Sequence, residues 1–274
     1  MEQSKGKEFL TFCLGILLIG VLIQAAGRLR NDRLVFPDVF EILRALVRLL
    51  GRADTYLKIG VTLRHLLEVL LLSTLAGVAI GLAEGLSGFV RTLLRPLMIL
   101  MRSIPMVVMV VVIMVLTRYD RVPLIASSLF LIPLISEAAC EGCLRIDPEL
   151  IDAYRIHSGF NLQVLLNVHL PLMAGYLRQA YESAAGMGLK LVVSTEYLVQ
   201  TKNSLGKAVH SSSYFNEYQE IYAYALIMIF LVLLVSHLPP ALGRLLALRQ
   251  SRGAGTQASP EPAHLSPPGL PKDS

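Results

Sequence analysis

Five charged side chains sit where the surrounding residues are apolar: Arg64, Glu68, Glu182, Lys190 and Glu196. A charge held at membrane depth is costly, so such residues face a lined cavity or one another. Arg64 and Glu68 are four apart, and Glu182 and Lys190 are eight apart, spacings that bring each pair to about one helical face. Glu196 lies fourteen residues beyond Glu182, close to the same face and toward the far end of its segment. Two readings follow. As a set, the five groups line a polar route for a solute; singly, Glu68 with Lys190 and Glu182 with Arg178 neutralise each other inside a bundle. Acids and bases are mixed, so the charges alone do not select an anion.

Other candidate chemistry is thin. Cys140 and Cys143 in CEGC lack a second thiol pair or nearby histidine, so they read as small residues at a helix end rather than as a metal site. Histidines 65, 157, 169, 210, 237 and 264 show no ligand spacing. No GxxxxGK[ST] phosphate loop occurs, nor any Ser-His-Asp or metal-carboxylate constellation. The chain is therefore read as a non-enzyme that binds no cofactor of its own.

The elements that must position these charges are helices in lipid. Hydrophobic residues make up 54% of the 274 residues and charged ones 16%, and the mean hydropathy is +0.59, values that belong to a membrane protein. The segment LMILMRSIPMVVMVVVIMVL from Leu97 to Leu116 is long enough to cross the hydrocarbon core as helix. The apolar runs predict six spans, at 9–27, 61–86, 97–117, 122–143, 172–199 and 219–242. The first, preceded by Lys5 and Lys7, also resembles a cleavable signal peptide; its length favours an uncleaved anchor. Within the linking segment 28–59, Phe40, Ile42, Leu43, Leu46, Val47, Leu49 and Leu50 alternate with Arg44, Arg48 and Arg52 at helical spacing, which predicts an amphipathic helix on the membrane surface. Pro105 is expected to kink the third span, and Gly77, Gly81, Gly186 and Gly188 to allow close helix packing. The tail, 246–274, is rich in Pro, Ser, Gly and Ala and is expected to be disordered. Lys and Arg divide almost evenly between the two sides of this topology, so charge does not orient it.

Between the fourth and fifth spans lies DPELIDAYRIHSGFNLQVLLNVHLP, residues 147–171. Asp147 is a good N-cap, Pro148 suits the first helical position, and Glu149 and Asp152 put negative charge in the first turns. After Gly159, Leu162, Leu165, Leu166 and Val168 recur among polar residues, predicting a second amphipathic stretch that ends at Pro171. Two short helices about a bend form a docking knob.

This pattern resembles the EAA loop of ABC importer permeases, the element that meets the ATPase. Asp152, Ala153 and Tyr154 fall at its Glu-Ala-Ala positions, and Leu170-Pro171 at its Leu-Pro. Ser158 occupies its glycine position, with Gly159 one place later. TLRHLLEVLLLSTLAGVAIGLAEGLSG from Thr62 and RSIP at 102–105 resemble the family's second span and the start of its third. STEYLVQTKNSLGKAV, with Glu196 and Leu205-Gly206, is similar to the stretch linking the last two spans in the nitrate, sulfonate and taurine branch.

The resemblance implies an all-α permease domain over 60–245 with a cytoplasmic coupling helix, an inner-membrane location and both termini cytoplasmic. It also implies a second permease copy, most simply a homodimer, a separate ATPase subunit holding ATP and magnesium, and an extracytoplasmic solute-binding protein. The solute would be small and polar or anionic. A carrier driven without an ATPase, with its buried carboxylates as proton relays, is the alternative.

Overall fold

The computed structural model describes residues 37–146 and 162–235. The chain divides into two units, Met1–Ser236 and His237–Ser274, of which the second lies outside the described residues, as do the predicted first span, the tail and residues 147–161.

Every regular element among the described residues is helical. α1 is Val39–Leu50, α2 Ala53–Leu86, α3 Gly88–Ser103, α4 Met106–Leu116, α5 Val122–Leu144, α6 Leu170–Val199, α7 Leu205–Tyr214 and α8 Tyr218–Val235. Among the described residues, three stretches are long and apolar enough to cross a membrane: α2, α5 with the 3-10 turn before it (Tyr119–Leu144), and α8. A fourth results if α3 and α4 are counted as one bent span. α6 has the length but carries Arg178, Glu182, Lys190 and Glu196.

The amphipathic segment forms α1, started by a capping box in which Asp38 and Glu41 satisfy each other's backbone N–H. Ala45 and Leu49 are buried while Phe40, Leu43 and Val47 are exposed, so its apolar face is only partly used within the chain.

The second predicted span begins eight residues early, at Ala53. Asp54 and Lys58 pair at 2.7 Å one turn apart, and Lys58 lies over the Tyr224 ring of α8 at 6.0 Å, so this polar first part is helix held by side-chain contacts rather than by hydropathy. With 34 residues, α2 is about 51 Å long.

The third predicted span, 97–117, is not one helix. α3 and α4 meet at 104° across Ile104-Pro105. Pro105 cannot donate to the ladder and pushes Ile104 into an extended conformation, φ −69° and ψ 124°. The expected kink is a full break. Arg102 braces it, donating to the Pro133 carbonyl at 2.8 Å and pairing with Glu137 at 2.6 Å, both on α5.

The amphipathic stretch expected to stop at Pro171 does not stop there. Helix runs from Leu162 into α6 with π-type turns over Leu165–His169. A proline ring at 171 would clash with the carbonyl four residues back, and the widened turn ahead of it makes room.

α2 packs mainly on α5, and α5 on α6. A stripe of glycines lets α2 and α5 touch. A Cβ on Gly77 would sit 2.8 Å from Ile135 Cβ, one on Gly85 2.6 Å from Cys143 Cβ, and one on Gly81 would overlap the Ser136 carbonyl. Leu66, Leu70, Leu131, Leu189 and Val192 fill the centre, with Tyr224 and Ile227 of α8 against them.

Candidate functional site: a buried carboxylate junction and the charges around it

Glu196 is fully buried three residues before the end of α6. An isolated carboxylate there would be prohibitively expensive, so its partners define the local structure. Thr62 of α2 donates its hydroxyl to Glu196 Oε2 at 2.8 Å, and the Gly206 backbone N–H of α7 reaches the same oxygen at 3.3 Å. His65 Nδ1 lies 2.7 Å from Oε1. The Thr62 oxygen also accepts from the Leu205 N–H at 3.0 Å.

The start of α7 explains why these residues are needed. A helix leaves its first N–H groups without partners. Here Leu205 N–H goes to Thr62, Gly206 N–H to Glu196, and Lys207 N–H to the N-cap Ser204 hydroxyl at 3.1 Å. The carboxylate meets the positive end of the helix dipole, and three helices are locked at one point. Gly206 is fixed by space, because a Cβ would lie 2.5 Å from Glu196 Cβ, Tyr197 N and Val193 O.

The connector between α6 and α7 is tight. Gln200 and Asn203 both take left-handed φ of 55°, and Gln200 Nε2 is 3.3 Å from His210 Nε2 on α7. Beside it opens a cavity of about 700 Å³ lined by residues including His65, Arg118, Tyr119, Asp120, Thr201 and Lys202. The Thr201 hydroxyl is buried and has no hydrogen-bond partner among the described residues.

The other sequence-predicted charges lie apart from this junction. Arg64 pairs with Glu68 at 2.8 Å, so Glu68 does not join Lys190, whereas the expected Arg178–Glu182 pair is present at 3.0 Å. All four are substantially exposed on the isolated chain. Lys190 has no ion-pair partner among the described residues and borders a groove of about 410 Å³ between α6 and α8, otherwise lined by apolar residues and Ser194. Of the coupling residues, Leu170 and Pro171 lie in the first turn of α6, while Asp152, Ala153, Tyr154, Ser158 and Gly159 lie outside the described residues.

Sequence reasoning missed Thr62 and His65 as partners of Glu196, because the contacts span 134 and 131 residues. It also missed Glu84, buried near the other end of α2, which accepts from Ser136 at 3.1 Å. The legible signal was their helical spacing: Thr62 and His65 are three apart and share a face. No metal-binding group of three His, Cys, Asp or Glu occurs among the described residues.

Comparison with known proteins identifies the setting. No curated protein sequence matches the chain. Among solved structures, a native crystal form of the MetNI methionine ABC transporter in an inward-facing conformation is similar to it. The TM-score is 0.54 at 19% identity, covering 67% of this chain and 94% of that one, a likeness of fold. The model of the family described as binding-protein-dependent transport system inner membrane component matches residues 73–252. The buried junction and its helices thus sit in a multi-pass inner-membrane protein, and the chain belongs to that family, the permease components of binding-protein-dependent ABC transport systems.

Proposed function

We propose that this chain forms the passage for a small polar or anionic solute in an ATP-driven importer of the nitrate, sulfonate and taurine type, together with a second copy of itself. The observation that carries the reading is the placement of Arg64–Glu68, Arg178–Glu182 and Lys190 on exposed faces of α2 and α6, helices of membrane-spanning length. Ion pairs facing hydrocarbon are costly, whereas pairs facing a wet passage between two copies are not. Glu196 contributes from behind, holding His65 and the start of α7 in place.

Coupling is assigned to 147–171. The knob engages a groove on a separate ATPase subunit, which binds ATP and magnesium; its closure pushes through Leu170-Pro171 on α6. That contact puts the knob in the cytoplasm, and with six spans both termini are cytoplasmic. Asp152 keeps the charge of the family's glutamate; Tyr154 and Ser158 call for a docking groove shaped to them. A solute-binding protein delivers cargo on the opposite side, at the end of the bundle where Glu196 lies.

Affinity isolation of the chain with its ATPase tests this reading. Asp152→Ala is expected to abolish co-isolation, or to leave it intact while uncoupling transport from ATP hydrolysis. Unchanged association and unchanged coupled transport in that variant would overturn it.

A further inference from the structure

We infer that α1 is a binding site for anionic phospholipid, with its free apolar side among the acyl chains and Arg44 and Arg48 on the headgroup phosphates. Helical periodicity divides α1 into three sides. Ala45 and Leu49, with Leu46 beside them, face the bundle. Phe40, Leu43, Val47 and Leu50 form a second side that the chain leaves exposed, Phe40 at 76% and Val47 at 71%. Arg44 and Arg48, continued by Arg52 beyond the helix end, make the third. Arg44 stands four residues from Phe40 and three from Val47, so the basic side borders the apolar one directly.

The basic side is only partly answered within the chain. Arg52 pairs with Glu220 at 3.6 Å. Arg44 and Arg48 are exposed and make no ion pair among the described residues. Glu41, the acidic residue of α1, is taken up elsewhere: it accepts from the Asp38 N–H at 3.1 Å and from Gln219 of α8 at 3.4 Å. Two like charges one turn apart repel, and an anion bridging them removes that cost. The planar fork of arginine meets phosphate oxygens two at a time, which suits the pair to a phosphodiester.

The place of α1 in the bundle supplies the lipid. Contacts through Gln219 and Glu220 tie α1 and the turn after it to the first turn of α8, an apolar helix of spanning length that begins at Tyr218. α1 therefore lies at the depth where that span leaves the hydrocarbon. Tyr56, Tyr214 and Phe215 are exposed at the same end of the bundle, as in the aromatic belt of a membrane interface. An amphipathic helix at that depth buries its apolar side at the boundary of headgroups and acyl chains and keeps its arginines at the phosphates. Zwitterionic lipid carries an ammonium group beside each phosphate, so two unpaired guanidinium groups favour anionic lipid. A second copy meeting this side about a two-fold axis would set its own arginines against these, which makes protein the poorer occupant. The site depends on neither the cargo nor the ATPase.

The chain contains no tryptophan, so Phe40→Trp gives a single fluorophore on the apolar side. The full-length variant is reconstituted in vesicles that mix phosphatidylcholine with phosphatidylglycerol, the acyl chains of one or the other being brominated. Bromine quenches only a tryptophan close to it. Quenching by both brominated lipids is expected, with a preference for phosphatidylglycerol of about fivefold or more, the scale of one arginine near an anionic surface. The preference should shrink in high salt and disappear when Arg44→Gln and Arg48→Gln, both at exposed positions, are added. If Phe40→Trp fails to fold, Val47→Trp on the same side takes its place. A fluorophore quenched by neither lipid would mean that protein, a second copy included, covers this side, and would overturn the proposal. Equal quenching by the two lipids with the arginines in place, or a preference that survives the glutamine substitutions, would overturn the assignment of the anionic headgroup to Arg44 and Arg48.

Discussion

Thr62→Val is the sharpest perturbation of the buried junction, because valine keeps the shape and removes only the hydroxyl. The hydroxyl makes two bonds: it donates to the Glu196 carboxylate at 2.8 Å and accepts from the Leu205 N–H at 3.0 Å. A hydrogen bond to a charged group contributes about 1.5–3 kcal/mol, and a buried N–H left without a partner costs about 1–3 kcal/mol. The two losses share one side chain and are not fully additive, so a destabilisation of about 3 kcal/mol is expected. Thr74, on the same helix, is the matched control, since its hydroxyl is buried without a hydrogen-bond partner among the described residues. Thr74→Val should be neutral or slightly stabilising. The assay is reversible unfolding of the detergent-solubilised chain by titration with sodium dodecyl sulfate. A loss below about 0.5 kcal/mol for Thr62→Val, or equal effects of the two substitutions, would refute the reasoning that this hydroxyl holds α2, α6 and α7 together.

Further outcomes follow from the same geometry. Gly81→Ala places a methyl into the Ser136 carbonyl of α5 and should cost about 1–3 kcal/mol or more in that unfolding assay, whereas Gly60→Ala, with nothing within 4 Å, should be neutral or stabilising. Gly206→Ala should be about as damaging as Gly81→Ala, because at each position two of the three nearest atoms are backbone. Arg102→Ala removes both ties from α3 to α5 beside the Ile104-Pro105 break; Arg102 and Glu137 are each about half exposed, so stability should fall by only about 1 kcal/mol or less. Spin-label distances between α3 and α5 should nonetheless broaden. Arg178→Ala and Glu182→Ala should change stability little and reduce solute uptake, and unchanged uptake in both would remove the pair from the passage.

Helix existence was legible wherever burial and apolar composition coincide. The segment read at 122–143 is the helix Val122–Leu144, and the segment read at 172–199 is a helix that begins two residues earlier, at Leu170. The glycine stripe on α2 was legible from the small-residue spacing of Gly77 and Gly81. Three features were not. The apolar run 97–117 hides its own break, since hydropathy carries no backbone geometry and only Pro105 marks the bend. The start of α2 at Ala53 depends on Asp54–Lys58 and on Tyr224, a residue 166 positions away from Lys58. Glu196 stood out as a charge in an apolar segment, yet its role at the junction depends on Thr62, His65 and Gly206, which only the packing of three helices brings together.

Uptake into proteoliposomes is the most direct measurement of how the chain works. The chain would be reconstituted with its ATPase subunit and loaded binding protein, and radiolabelled cargo counted with ATP present or absent. Accumulation is expected only with ATP and the ATPase, and is expected to be lost with Asp152→Ala. Accumulation driven by an imposed proton gradient in vesicles lacking any ATPase would contradict it.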